Sequence, residues 1–329
     1  MDAWSEQSPR ESAHWFSQIP VLRALGQAPA EVVVRKPGER FLSAPVPVGP
    51  YARRHREFAW LSLAAYAGTP AGRKRVQRDA LQEAAHPGRT APDGTPLAYR
   101  DPAPVLEGSG WSRWDAFGRA SLWQQIDEAH LRVEVWENRG RGAVAVGFGG
   151  TVFDNEKDWL SNLRWFIPHH SDEYTEVVQT FAPAFADEYK RRFAAAARPA
   201  LFATGHSLGG GLAQQFAYSL PVDPDGIVPR IREVYAFDPS PVTGFLSVAR
   251  KLRDVNRVEL LIDRIYERGE ILALARSLMS LFVKPSAKSP ALRGTRYSLF
   301  YGWNPIADHS MVQLALKIDR AAHVPASSG

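Results

Sequence analysis

Residues 200–211 read Ala-Leu-Phe-Ala-Thr-Gly-His-Ser-Leu-Gly-Gly-Gly. The apolar run Ala200 to Thr204 has the character of a buried strand. It leads straight into Gly205-His206-Ser207-Leu208-Gly209, and a helix-forming run follows from Leu212 to Tyr218. Strand, tight glycine turn and helix in that order form the pattern G-x-S-x-G, which lifts a serine hydroxyl clear of a sheet. Gly205 and Gly209 remove Cβ atoms that would clash in so sharp a turn, and Gly210 and Gly211 let the helix close on its neighbours. The helix start aims free N–H groups and a positive dipole end at the serine. The Leu208 N–H is placed to receive a developing oxyanion. A serine among glycines can also be a plain helix N-cap, but the flanking strand and helix select Ser207 as a candidate nucleophile.

Outward from the turn, strand and helix patterns alternate. Glu31 to Val34 is strand-like within a proline- and alanine-rich stretch over residues 1–50, which reads as a loosely structured arm. Arg56 to Tyr66 has a helical apolar stripe, 85–110 reads as mostly loop, and 111–125 as one or two short helices. Arg132 to Asn138 and Ala143 to Phe148 alternate as strands around the turn Gly140-Arg141-Gly142, which predicts a hairpin. Tyr174 to Ala197 is a long amphipathic helix, and Leu212 to Leu220 the helix after the serine. Strands are expected over 233–237, 258–266 and 297–301, and helices over 271–283 and 309–318. Residues 321–329 read as a disordered tail. Such alternation argues for an α/β fold with a mainly parallel central sheet flanked by helices, spanning 51–320.

A nucleophilic serine needs a base, and an acid that fixes the base's tautomer, in the chain order serine, acid, histidine. Two histidines follow Ser207, His309 and His323. His323 falls in the expected tail, so His309, at the start of the last helix, is the candidate base. Glu270, just after the strand 258–266 and a turn with Gly269, is the favoured acid, with Glu267 and Asp238 as alternatives. Gly147-Phe148-Gly149-Gly150-Thr151 closes an earlier strand and offers the second oxyanion donor, Thr151.

Four stretches resemble the class 3 lipases, the fungal-type branch of the α/β-hydrolases: Leu61-Ser-Leu-Ala-Ala-Tyr66, Phe148-Gly-Gly-Thr151, Asp158-Trp-Leu-Ser-Asn162 and Gly205-His-Ser-Leu-Gly-Gly210. The resemblance implies an α/β-hydrolase fold with Ser207 as nucleophile, Thr151 and Leu208 as oxyanion donors, Glu270 near the family's aspartate and His309 near its base. It also implies a lid-like segment over 152–175, where Trp159, Leu163 and Phe166 fall near one helical face. The same three aromatic and apolar residues would serve equally as core. The chain departs from the family pattern in three places. Gly149 stands where arginine is usual, the acid is Glu rather than Asp, and Phe237-Asp-Pro-Ser-Pro241 replaces F-G-x-P-R-V-G.

Composition narrows the chemistry. With no cysteine among 329 residues, disulfides, thiolate catalysis and cysteine metal sites are excluded. A net charge of +5 favours anionic surfaces. The basic residues are scattered, however, which sets nucleic acid aside in favour of a lipid or phospholipid substrate and peripheral membrane contact. His169 and His170 lack evident carboxylate partners, no dinucleotide or P-loop fingerprint appears, and neither cofactor nor metal is expected. No signal-peptide core and no apolar run of membrane-spanning length is present. The expectation is therefore a cytoplasmic protein or one exported by a specialised secretion system. In that respect the chain resembles bacterial phospholipase effectors, for which a blocking immunity protein would be a partner. The reading is a serine lipase or phospholipase working through an acyl-enzyme; the alternative is a catalytically silent hydrolase fold used as a binding module.

Overall fold

The computed structural model describes residues 30–39, 41–68, 73–74, 101–115, 117–118, 120–150, 171–194, 198–240, 243–268, 290–299 and 310–323. The hairpin predicted from alternation is present as Val133–Asn138 (β4) and Ala143–Phe148 (β5), with Val133 opposite Phe148 and Asn138 opposite Ala143. Its connection closes because Gly142 adopts left-handed angles (φ 57°) and the Asn138 side chain accepts the Arg141 N–H at 3.1 Å. From β5 the sheet continues in parallel through Ala200–His206 (β6), Ile231–Phe237 (β7), Leu261–Glu267 (β8) and Ala291–Ser298 (β9). Glu31–Arg35 (β1) and Val46–Pro47 (β2) extend one edge antiparallel, and Ser112–Arg113 (β3) extends the other beyond β4. The order among the described residues is β2-β1-β9-β8-β7-β6-β5-β4-β3.

Helices cover both faces. Val48–Ala64 (α1) lies on one face, and Ala103–Gly108 (α2) and Ala120–Glu128 (α3) precede the hairpin. Ser171–Glu176, Val177–Phe181 and Ala182–Phe193 run on as a single helix, α4, on the other face, beside Leu208–Ser219 (α5). Arg250–Asn256 (α6) follows β7, and Met311–His323 (α7) packs against α1. Strand alternation feeds the two layers: Val144, Val146 and Phe148 join the core under α4 and α5, while Ala143 and Ala145 join the core under α1 and α7. The α5 layer is pinned by aromatic contacts, with Phe216 against Phe181 (5.6 Å), Phe185 (5.4 Å) and Phe148 (5.4 Å) between ring centres. Parallel central strands with helices on both faces are the α/β-hydrolase architecture that the sequence implies.

Several elements differ from expectation for identifiable reasons. Helix α5 begins at Leu208, not at 212, because its opening glycines are chosen for close packing and not for helix propensity. Helix α4 contains one wide turn, where the Ala182 N–H donates to the Val177 carbonyl just before Pro183. Helix α2 occupies part of the expected loop and opens with the preorganised Pro104. Residues 112–113 are strand, not helix, at the start of the tryptophan-rich stretch. Strand β1 shows that residues 31–35 of the expected arm belong to the sheet, paired along all of β1 with β9. Strand β9 begins at Ala291, six residues before the expected 297, because Arg293 and Arg296 hide its alternation. The last helix runs through His323, with Ala321 and Ala322 buried inside the expected tail.

The arginine that hides β9 has a partner in β8. Asp263 is 1% exposed and accepts from His55 Nε2 at 2.9 Å, Arg293 Nε at 2.7 Å and Thr295 Oγ1 at 2.8 Å. His55 Nδ1 in turn meets the Tyr297 hydroxyl at 2.7 Å, so α1, β8 and β9 share one buried polar knot. Burial alone would push the Asp263 carboxyl up, but His55 and Arg293 bring it down to about 2. A depressed acid pKa contributes stability above the ordinary carboxylate range, and that contribution is lost as pH falls towards about 2. Asp263→Asn should cost about 3–5 kcal/mol of unfolding free energy at neutral pH. In denaturant titrations the gap between variant and parent should narrow steadily below about pH 4.

Candidate active site

Ser207 follows the last residue of β6 and precedes α5, with φ 57° and ψ −124°. Few non-glycine residues tolerate that conformation, which costs on the order of 1–3 kcal/mol and persists only where surrounding bonds hold it. The Ser207 N–H donates to the Phe237 carbonyl at the end of β7 (3.0 Å). The Ser207 carbonyl accepts both the Gly210 N–H (3.0 Å) and the Ser240 N–H (3.0 Å). The turn is thus held from its own helix and from the neighbouring strand, and the serine stays half-buried, not sealed in. Leu208, the first residue of α5, is likewise half-buried beside it.

The surrounding glycines have no room for a side chain. A Cβ at Gly205 would lie 2.2 Å from the Gly209 carbonyl oxygen, and one at Gly209 would lie 2.2 Å from that of Phe148. The end of β5 is therefore stacked directly on the turn. A Cβ at Gly149 would lie 2.6 Å from the Ala65 carbonyl oxygen and 2.9 Å from Arg132 Cβ. That crowding explains why glycine stands where the resembling lipases carry arginine. A Cβ at Gly150 would lie 2.8 Å from the His206 carbonyl oxygen and 3.3 Å from Ser207 Cβ, so this segment passes immediately beside the serine.

Two of the three candidate acids are described. Asp238 follows β7 with φ 38°, is fully buried, and stands 3.9 Å from His206 Nε2 through Oδ2. Its Oδ1 accepts the Glu267 N–H at 3.3 Å. Pro239 packs where Gly210 lacks a side chain. Glu267 ends β8 with 1% exposure, and its Oε1 accepts the Leu299 N–H at 2.8 Å, tying β8 to the chain that leaves β9. Strands β6 and β8 are two apart in the sheet, so Glu267 and Ser207 stand on strand ends separated by about 10 Å.

Glu270, His309, Thr151, and the lid candidates Trp159, Leu163 and Phe166 lie outside the described residues. The other histidine after the serine is placed. His323 is exposed at the end of α7, with Nδ1 2.7 Å from the Asp319 carbonyl oxygen. A Cβ at Gly49 would lie 3.9 Å from the Ala321 carbonyl, so this end of α7 sits at the start of α1. The opposite end of α1 touches Gly147 and Gly149, about 25 Å away along the helix. Among the described residues no group of three or more His, Asp or Glu could hold a metal ion, and no helix is long and apolar enough to cross a membrane.

Sequence reasoning did not single out one pair at the site. The Tyr66 hydroxyl, just beyond α1, is hydrogen-bonded to His206 Nδ1 beneath the turn. Tyr66 counts towards the helical apolar stripe, and its polar end carries no signal of its own in the sequence. His206 is legible only as part of G-H-S-L-G.

A phospholipase-like family model, the Tle-like phospholipase domain, matches residues 57–221. The chain belongs to this family. The match to the Tle-like domain runs from α1 through the hairpin to the end of α5. It therefore includes Gly149, Gly150 and Ser207 and stops before Asp238, Glu267, Glu270 and His309. No curated protein shows significant similarity to this Tle-like chain. Among solved structures it is similar to the Rhizomucor miehei lipase in its propeptide complex, at 14% identity and a TM-score of 0.38, over 72% of this chain and 64% of that one. It is also similar to a fungal lipase–inhibitor complex (15% identity, TM-score 0.40, 70% of this chain and 76% of that chain). A third is the lipase from Rhizopus microsporus var. chinensis (13% identity, TM-score 0.37, 73% and 70%). The first of these matches spans less than two thirds of the length of the Rhizomucor chain.

The strain at Ser207 has a measurable consequence. Ser207→Gly should stabilise the Tle-like chain by about 1 kcal/mol, because glycine adopts positive φ without cost. Gly209→Ala should destabilise it by about 3 kcal/mol, because the added methyl meets a backbone carbonyl that cannot move aside. Urea titrations of the two variants against the parent check both signs.

Proposed function

We propose that this chain is a serine carboxyl-ester hydrolase of lipid esters, glycerolipids or phospholipids. The observation that carries the reading is the backbone of Ser207, held at φ 57° and ψ −124° between a parallel strand and a helix start with its side chain half-buried. The family match to a phospholipase-like domain supports lipid as the substrate class.

In the proposed mechanism the Ser207 hydroxyl oxygen attacks the acyl carbonyl carbon while His309 takes its proton. The carbonyl oxygen becomes an oxyanion that accepts hydrogen bonds from the Leu208 N–H and from Thr151. Collapse breaks the ester C–O bond, and the leaving alcohol or lysolipid takes the proton from His309. Water, deprotonated by His309, then attacks the acyl-enzyme, releases the fatty acid and restores the Ser207 hydroxyl. Glu270 is the proposed acid partner of His309, with Glu267 and Asp238 as the alternatives at the two adjoining strand ends. Trp159, Leu163 and Phe166 are proposed as the apolar lid over the site. By resemblance to bacterial phospholipase effectors, we also propose an antibacterial role with an immunity protein as partner. Periplasmic expression in a test bacterium should then be toxic and Ser207-dependent, and harmless expression would remove that role.

The decisive experiment is labelling by a fluorophosphonate probe together with mass spectrometry of products from mixed bacterial lipids. The parent should label and release fatty acid, whereas Ser207→Ala and His309→Ala should each lose about 10⁴-fold or more of turnover, with little further loss when combined. An unlabelled parent would instead favour a hydrolase fold used only for binding. Comparison of Glu270→Gln, Glu267→Gln and Asp238→Asn identifies the acid as the variant whose turnover falls furthest at unchanged stability.

A further inference from the structure

The segment before Thr151 and the turn carrying Ser207 must keep a fixed separation if a donor and a nucleophile are to meet one carbonyl. A single hydroxyl group touches both. Tyr66 lies immediately after α1, and its hydroxyl is hydrogen-bonded to His206 Nδ1, one residue before Ser207. Gly150 packs against the same oxygen, with its backbone N–H on that side. A Cβ on Gly150 would come within 2.9 Å of the Tyr66 hydroxyl and 3.3 Å of Ser207 Cβ, so Gly150 packs closely beside both residues. His206 is 3% exposed, its ring lies 5.8 Å from that of Tyr66, and its Nε2 faces Asp238 at 3.9 Å.

Proton bookkeeping orients this chain of contacts. A phenol has one O–H to give. Burial first, and then the nearby Asp238 carboxylate, raise the Tyr66 pKa well above its ordinary value, so the hydroxyl keeps its proton. With the Gly150 N–H on its acceptor side, the protonated hydroxyl is oriented to donate to His206 Nδ1. His206 is thereby held as the tautomer with its proton on Nε2, directed at Asp238. The pair thus lies between Gly150 on one side and the turn that carries Ser207 on the other.

We infer that Tyr66, backed by His206, is a positioning residue that sets the oxyanion loop against the nucleophile turn: its hydroxyl ties the Gly150 peptide to the residue preceding Ser207. The inference rests on the serine-hydrolase reading for its catalytic consequence, but not for its structural one. Wherever Thr151 lies, it leaves from a peptide that Tyr66 holds.

Tyr66→Phe removes this one oxygen and keeps the ring. With a short soluble p-nitrophenyl ester, kcat should fall between about tenfold and a hundredfold, with KM within about twofold, as expected for misplacement and not for lost binding. Affinity for an alkyl boronic acid, which forms a tetrahedral adduct on the serine, should fall in step with kcat. In the 15N-labelled protein the Gly150 amide should exchange with deuterium faster in Tyr66→Phe than in the parent. His206→Asn keeps an acceptor near the Nδ1 position and should retain more activity than His206→Leu. The double variant Tyr66→Phe/His206→Leu should be no worse than the poorer single one. Parental kcat, boronate affinity and Gly150 exchange in Tyr66→Phe would overturn the inference, as would additive losses in the double variant. A parent with no Ser207-dependent turnover would remove the esterase reading alone, and the exchange of Gly150 would still decide the role of Tyr66.

Discussion

One backbone conformation organises this molecule. Ser207 sits in a turn that an L-amino acid resists, and the strain is offset by contacts gathered from three separate elements. The Phe237 carbonyl on β7 takes the serine N–H, while Gly210 on α5 and Ser240 after β7 donate to its carbonyl. The Phe237 and Ser240 contacts are not available until β6 and β7 are paired in the correct register, whereas the Gly210 contact is local to the turn. Gly205 and Gly209 complete the constraint from below, because the Phe148 carbonyl at the end of β5 presses on the turn at a distance that leaves no space for a methyl group. The strained serine turn is thus a property of three adjacent strands and one helix together.

Helix α1 is the second wall of the same construction. Its last turn lies against β5 so closely that Gly147 and Gly149 are required beside the Leu61 and Ala65 carbonyls. This contact delivers Tyr66 to the serine and fills, with Arg132, the space that a side chain at residue 149 would need. The same helix reaches across the sheet through His55 to Asp263 on β8, and β9 joins through Arg293, Thr295 and Tyr297. Glu267 then fixes the exit of β9 by accepting the Leu299 N–H. The buried polar groups of this face therefore run from the strand that leads into Ser207 to the strand preceding the last helix. Each of them is a polar group whose cost of burial is offset by a partner on a different element.

Legibility differed sharply between parts of the chain. The hairpin β4–β5 was plain because Val133 and Val135 alternate and glycines mark its turn. Strand β6 and the serine turn were plain because apolar run, glycines and helix follow one another within a dozen residues. Strand β9 was half-hidden because Arg293 is an inward charge with a buried partner, and inward charges break the two-residue period. The first turn of α5 was hidden because three glycines lower helix propensity where the packing demands them. Residues 321–323 read as a tail because nothing local shows that Ala321 and Ala322 are covered by α1.

By itself the amino-acid sequence determined the α/β class, the site of the candidate nucleophile and the glycine loop before Thr151. These depend on residue type and on spacing within about ten positions, which are local quantities. Tertiary structure alone decided that residues 31–35 complete the sheet, that His323 ends about 25 Å of helix away from the turn, and that Tyr66 joins Gly150 to His206. Those facts are set by pairings between segments far apart in the chain. A hydroxyl on an apolar stripe shows no sign of its polar partner until the strands bring that partner beneath it.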